Sequence, residues 1–276
     1  MMLMPPWRGS AGEIRLVAAA AEASGYHSIW VNEHIVIPAA AATRYPYRPD
    51  GQLPISPGAP WTEAMVTLGY LAGVTSRIRL GSAVIPIITR DPLSLAKQAA
   101  TVDVLSGGRL ELGLGAGWLV EEAEALGRPA DRRAVRLRET VEILRLAWTG
   151  DLFAYAGELY AIPEVSVTPR PVQGPDLPIW IGGVSPASLR LAARAASGVV
   201  LSISAMAGPE RVAEIAATLQ NDRASVRLMA PVSIDEPGAA GRAAALHQAG
   251  ADIVMAVSYA DAASAAGRLE EFAASV

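Results

Sequence analysis

The chain has 276 residues, 51% of them hydrophobic, a formal net charge of −4 and no cysteine. That is enough apolar material for one large core. With no Lys/Arg block it offers no nucleic-acid surface, and without cysteine it excludes disulfides, thiolate catalysis, iron–sulfur clusters and Cys-ligated zinc.

The opening "MMLMPPWRGS" reads as a short first strand. Its arginine comes too late, and its apolar residues are too few, for a signal peptide. No apolar stretch approaches the ~18 residues of a membrane span. The expected location is the cytoplasm, with no membrane partner. A helix over 13–24 stops at Gly25, and "HSIWV" (27–31) is the second strand. Residues 35–60 are Pro-rich and follow that strand as a long loop. Helix 62–75, strand 78–87, helix 92–106 and strand 109–115 come next, with Gly107-Gly108 ending the second of these helices. Helix 133–150 leads into residues 151–176, where a small hairpin forms around Gly157. Strands 178–183, 198–204, 226–234 and 252–258 then alternate with helices 186–196, 209–220, 239–249 and 261–275.

The strand runs are apolar nearly throughout, as in parallel sheets covered on both faces. Eight strands alternating with eight helices point to an α/β protein, a (β/α)₈ TIM barrel forming a single domain over 1–276. Insertion loops near 35–60 and 151–176 are expected at its C-terminal face. A doubly wound open sheet is the alternative.

Three histidines occur. His27 precedes a strand and His247 lies late in a helix, both structural positions. His34, in "SIWVNEH", falls just past a strand's C-terminal end, where a group titrating near neutrality can exchange protons with a substrate. No second histidine lies at ligand spacing, so no metal site is expected. "GLGAGW" puts Gly113, Gly115 and Gly117 at alternate positions, which lets a flat ring approach the backbone or strands pack tightly. "IWIGGVSPASLR" (179–190) ends a strand in Gly182-Gly183 and opens a helix at Ser185 and Pro186. Helix-start amides there suit an anion such as phosphate, or Ser185 is simply the N-cap.

The blocks "GYHSIWVNEH", "RIRLGSAVIPI", "DPLSLAKQAATVDVLSGGRLELGLGAGW", "EEAEALGRP", "VTPRPVQGPDLPIWIGG" and "SPASLRLAAR" occur in the order seen in bacterial luciferase-like proteins. The chain resembles that superfamily over roughly residues 1–205, most closely in its deazaflavin (coenzyme F420)-dependent oxidoreductase branch. The last third matches more loosely and looks shortened, and the first strand looks clipped.

The resemblance implies a (β/α)₈ barrel with coenzyme F420, or alternatively FMN, at its C-terminal mouth. The cofactor ring would lie against Ser82, Ala83 and Val84, where a bulge carries a non-proline cis peptide at Ala83–Val84. Gly115, Ala116, Gly117 and Trp118 would line it, and its phosphate would meet Gly182, Gly183, Val184 and Ser185. His34 matches an active-site histidine of several relatives. Tyr45, Tyr47, Trp61 and Trp118 would shape an apolar pocket for a small organic substrate. The implied activity is hydride transfer between F420 and that substrate. The alternatives are an FMN-dependent monooxygenase and a flavin-binding barrel without turnover.

Two departures from the pattern bear on this. A sugar-phosphate dehydrogenase branch carries glutamate where Trp118 stands, so that activity is not carried over. Luciferase-type members place an arginine on the flavin phosphate near Ala116. This chain lacks it, which favours the deazaflavin and leaves Arg190 as a further phosphate contact. Relatives often pair, and apolar outer helices permit a homodimer.

Overall fold

The computed structural model describes residues 2–3, 10–46, 50–52, 56–201, 208–219 and 226–276. In chain order it contains β1 (Met2–Leu3), α1 (Ala11–Ala23), β2 (Ser28–Val31), α2 (Ala64–Val74), β3 (Arg79–Ser82), β4 (Ile85–Pro86), α3 (Pro92–Ser106) and β5 (Leu110–Gly115). Then follow α4 (Val120–Ala125), α5 (Arg133–Ala147), β6 (Phe153–Ala156), β7 (Ala161–Val165), β8 (Ile179–Gly182), α6 (Pro186–Ala195) and β9 (Gly198–Val200). The chain finishes with α7 (Pro209–Thr218), β10 (Arg227–Ser233), α8 (Ala239–Gln248), β11 (Ile253–Val257) and α9 (Ala262–Ser275).

One α/β sheet organises the molecule. Its order is β3-β2-β1-β11-β10-β9-β8-β5-β4, and β3 also pairs with β5, so the sheet curls back toward its first strand. Its pairings are parallel. The short opening run is β1, paired with both β2 and β11.

Inside the curl, Trp30, Trp180, Val200, Met229, Met255 and Val257 form one apolar cluster. The two tryptophans meet edge to face at 5.6 Å, a favoured quadrupole geometry. Each indole N–H is satisfied, Trp30 by Ser28 Oγ and Trp180 by Glu111 Oε2, both at 2.9 Å. Glycines make the room. A Cβ on Gly81 would lie 2.4 Å from the Trp30 ring, and one on Gly198 2.2 Å from that of Trp180. The larger core lies between the sheet and the helices.

Helix ends follow local chemistry. Asp91 and Pro92 start α3, which Gly107 closes in the left-handed region at φ 68°. Glu22, near the end of α1, accepts the amides of Ser76, Arg77 and Ile78 and so fixes the entry into β3.

The expected strand 78–87 is broken. Gly81 pairs with Glu111 but Ile85 with Leu114, so residues 82–84 contain one more residue than the facing strand. That extra residue is a bulge, and the Ala83–Val84 peptide within it is cis. Both insertions are expected at the C-terminal face; segment 35–60 follows β2 and so starts at that strand's carboxyl end, whereas 151–176 does not follow a strand of the main sheet. The β6–β7 hairpin joins α5 to β8, so it leaves from the opposite end of the sheet. The buried Glu139 of α5 accepts the amides of Glu158, Leu159 and Tyr160 and draws the hairpin turn along that helix.

Two outcomes follow. Gly198→Ala, whose methyl would also lie 2.6 Å from the Arg227 carbonyl, is expected to lower stability by about 1–3 kcal/mol. Gly241→Ala, in open space on α8, raises it by up to about 1 kcal/mol; urea unfolding compares them. The second concerns acid. Burial alone would raise the Glu22 carboxyl, but the amides of Ile78, Arg77 and Ser76 with the Ser76 hydroxyl hold it at about 2 instead of 4.5. Its contribution is therefore present above pH 4.5 and lost as pH falls toward 2. Glu22→Gln flattens that part of the stability–pH curve.

Candidate active site

The carboxyl ends of β2, β3, β5 and β8 are neighbours, because β2 pairs β3, β3 pairs β5 and β5 pairs β8. Of the sequence-predicted residues, His34, Ser82 to Val84, Gly115 to Trp118 and Gly182 to Ser185 lie at or just past these four ends, while Tyr45 and Trp61 come from the segment between β2 and α2. Three residues past β2 comes His34. Its Nδ1 lies 2.7 Å from Oε2 of Glu122, at the start of α4, and both side chains are nearly shielded from solvent. The other oxygen of Glu122 accepts the amides of Ile35 at 2.6 Å and Val36 at 3.3 Å.

Aromatic rings surround this histidine. Trp61 meets it edge to face at 5.7 Å and Trp118 at 6.0 Å, while Tyr45 meets Trp118 at 4.9 Å. Trp61 Nε1 reaches the Asn32 carbonyl at 3.4 Å. Trp61 and Trp118 thus flank His34 from separate segments, and Tyr45 packs on Trp118 behind them. Tyr47 lies outside the described residues.

A buried ion-pair hub supports this wall. Arg90 donates to Glu33 Oε1 at 2.9 Å, to Gln98 at 3.1 Å and, at very short range, to Glu63. Glu33 also accepts the Ala64 amide, and Glu63 caps α2 through the amides of Met65 and Val66. One guanidinium therefore ties the end of β2 to the start of α2. Burial pushes the Glu33 carboxyl above the usual range, against the lowering effect of Arg90.

At the bulge, Ser82 is fully buried. Its hydroxyl donates to the Gly113 carbonyl and accepts the Gly113 amide, both at 2.9 Å. The Val84 side chain covers Gly115 and Gly182, where a Cβ would come within 2.6 Å and 2.9 Å of it. A Cβ on Gly113 would meet the Ser82 carbonyl at 1.8 Å. The alternate glycines thus receive the bulge itself, and Ala83 and Val84 become the surface above them. Gly117, at φ 81°, packs on Ile88, and Arg133 of α5 donates to its carbonyl at 3.0 Å.

At β8 the chain turns through Gly183, at φ 102°, into α6. Ser185 Oγ accepts the Ser188 amide at 3.1 Å and contacts the Ser188 hydroxyl at 2.9 Å. Of the two readings of this corner, the N-cap is the one these bonds show. Ser185 is the N-cap, and it remains exposed, with Gly182, Gly183 and Val184 half-buried. Arg190 lies further along α6 and is exposed.

His247 binds the Ala251 carbonyl, and His27 contacts Ser28. Among the described residues no group of three or more His, Cys, Asp or Glu is arranged for a metal ion, and no helix is long and apolar enough to cross a membrane. Sequence reading missed Glu122, Arg90 and Glu33. Acids in a helix's first turn are common dipole partners, so "EE" at 121–122 carried no specific signal for His34.

A profile of the luciferase-like monooxygenase family matches residues 4–275. An uncharacterized protein of Mycobacterium tuberculosis is 40% identical over 179 residues, covering 65% of this chain and 62% of its own length. An F420-dependent glucose-6-phosphate dehydrogenase of Nakamurella multipartita is 33% identical over 192 residues, covering 68% and 51%. The chain thus aligns with less than two thirds of either relative's length. In fold, it matches the coenzyme F420-dependent tetrahydromethanopterin reductase of Methanopyrus kandleri with a TM-score of 0.78 at 17% identity, over 100% of this chain and 97% of that one.

Breaking the Arg90 hub is expected to be costly. Arg90→Met leaves Glu33 buried without its partner and lowers stability by about 3–5 kcal/mol. Because a buried, unpaired carboxyl is favoured when neutral, this variant loses further stability as pH rises through the carboxylate range. Urea unfolding at several pH values tests both points.

Proposed function

This chain belongs to the luciferase-like monooxygenase family, and from that premise we propose that it is an oxidoreductase moving hydride between coenzyme F420 and a small organic substrate, on a single-domain (β/α)₈ barrel. The observation that carries this reading is the meeting, on four adjacent strand ends, of a shielded histidine, an aromatic wall, a backbone bulge and an exposed helix start. F420-dependent enzymes among its relatives support the choice of cofactor.

The residues fit such a group. Gly183 is not crowded, since an added Cβ would meet nothing nearer than Ser188 Oγ at 3.6 Å, an ordinary contact. With Pro186 lacking an N–H and Ser188's taken by the cap, the amides of Val184, Ser185 and Ala187 are those offered to a phosphate. Ala83 and Val84 supply the surface for the ring, with Ala116 to Trp118 alongside and Gly115 beneath Val84. When bound, the deazaflavin supplies two-electron hydride chemistry. His34 takes up or returns the proton that accompanies the hydride, so an alcohol and a carbonyl compound interconvert in balance. Trp61, Trp118 and Tyr45 orient the substrate and exclude water. Glucose 6-phosphate is not carried over as substrate, since Trp118 replaces the glutamate of that branch.

FMN-dependent monooxygenation is the second reading, favoured by the family's own description. Titrating the protein with each cofactor while following tryptophan fluorescence separates the two. F420 is expected to bind at least about tenfold more tightly than FMN, by roughly 1.4 kcal/mol; tight binding of FMN alone overturns the proposal. His34→Ala is expected to keep F420 binding while lowering hydride transfer by about 10²–10⁴-fold. Unchanged turnover removes its proton-transfer role.

A further inference from the structure

We propose that Glu122 is a positioning residue that sets the tautomer of His34 and docks the start of the 35–60 segment with one and the same carboxylate. This rests on the reading of His34 as the proton-exchanging group and deepens it.

The two oxygens of Glu122 face different tasks. Oε1 accepts the backbone amides of Ile35 and Val36, while Oε2 faces His34 Nδ1 at 2.7 Å. An ionised carboxylate only accepts hydrogen bonds. Nδ1 therefore carries the proton, and Nε2 is the nitrogen with the lone pair. Without such a partner the two neutral tautomers compete, and the pool of histidine able to accept a proton at Nε2 falls. The carboxylate belongs to α4, while His34 and its two amides belong to the loop after β2. His34 thus acquires its tautomer only when that loop is seated on α4.

The adjacent Glu121 seats the same segment further along, its Oε1 accepting the amides of Ala42 at 2.7 Å and Thr43 at 2.8 Å. It has no contact with the imidazole among these bonds. Its neighbour therefore separates the two functions, because Glu121 docks the segment without touching the histidine.

Replacing Glu122 with glutamine gives a sharp expectation. Backbone amides are obligatory donors, so the single glutamine oxygen stays with Ile35 and Val36. The glutamine NH₂ then faces Nδ1, which must turn acceptor, and the proton moves to Nε2.

The test is nitrogen NMR of protein carrying ¹⁵N-labelled histidine, recorded on the alkaline plateau of the histidine signals, where the imidazoles are neutral and the two tautomers are distinguished. Only three imidazoles contribute, and His34→Gln assigns the relevant one. Wild-type protein is expected to show the Nδ1–H form at His34, Glu122→Gln the Nε2–H form, and Glu121→Ala the wild-type form. Nε2–H in the wild type overturns the proposal even if the variants fail to fold. So does an unchanged tautomer in Glu122→Gln, or the same switch in Glu121→Ala. In F420-linked turnover, Glu122→Gln is expected to lose at least about tenfold in kcat with cofactor binding unchanged. The NMR readout needs no cofactor. A switched tautomer in a protein that does not bind F420 sinks the proposed function alone, whereas F420 turnover with no tautomer switch sinks only the role of Glu122.

Discussion

The paired hydrogen bonds between the Ser82 hydroxyl and the backbone of Gly113 hold the feature on which the site is built. A bulge interrupts the regular exchange of N–H and C=O groups between strands, and buried backbone groups left unpaired would be costly. Ser82 replaces both missing partners at once, donating to the Gly113 carbonyl and accepting from its amide. Gly113 is required for the same reason, since any side chain there would collide with the Ser82 carbonyl. With the bulge anchored from below, Ala83 and Val84 rise over Gly115 and Gly182, and the end of the sheet gains a raised, apolar backbone surface.

A second set of constraints places the polar machinery beside that surface. Arg90 gathers Glu33 and Glu63, so the exit of β2 and the start of α2 are fixed by buried charge. Glu121 and Glu122 then bind backbone amides of the intervening segment. The charged residues of this region act on the chain's own amides and guanidinium. Beside them stand aromatic rings and one imidazole. That division suits chemistry in which the protein orients and dries a site while a bound redox group moves the electrons.

Much of the frame was legible beforehand. Continuous apolar runs separated by capped helices disclosed a parallel α/β sheet, because both signals are local consequences of burial and of helix-end hydrogen bonding. His34 and the Gly182–Ser185 corner stood out by their place at strand ends, and Trp61 and Trp118 only through the family resemblance. The break in the third strand has no local mark, since "RIRLGSAVIPI" has uninterrupted strand character; its bulge and the cis peptide at Ala83–Val84 are expected only through the family resemblance, and the extra residue is defined by the register against β5. The hairpin was legible as a hairpin, but its position was not. Glu139, a helix residue with no local mark, holds it along α5.

By itself, then, the order of residues determined which segments become strands and helices and which chemical groups stand at strand ends, since these depend on near neighbours in the chain. Only tertiary structure decided that a carboxylate 88 positions away faces His34, that Arg90 lies between two acids, and that Val84 rather than open space covers the glycines. Such pairings are made by segments brought together across the curled sheet. Their geometry comes from strand register and side-chain packing, neither of which leaves a periodic trace along the chain.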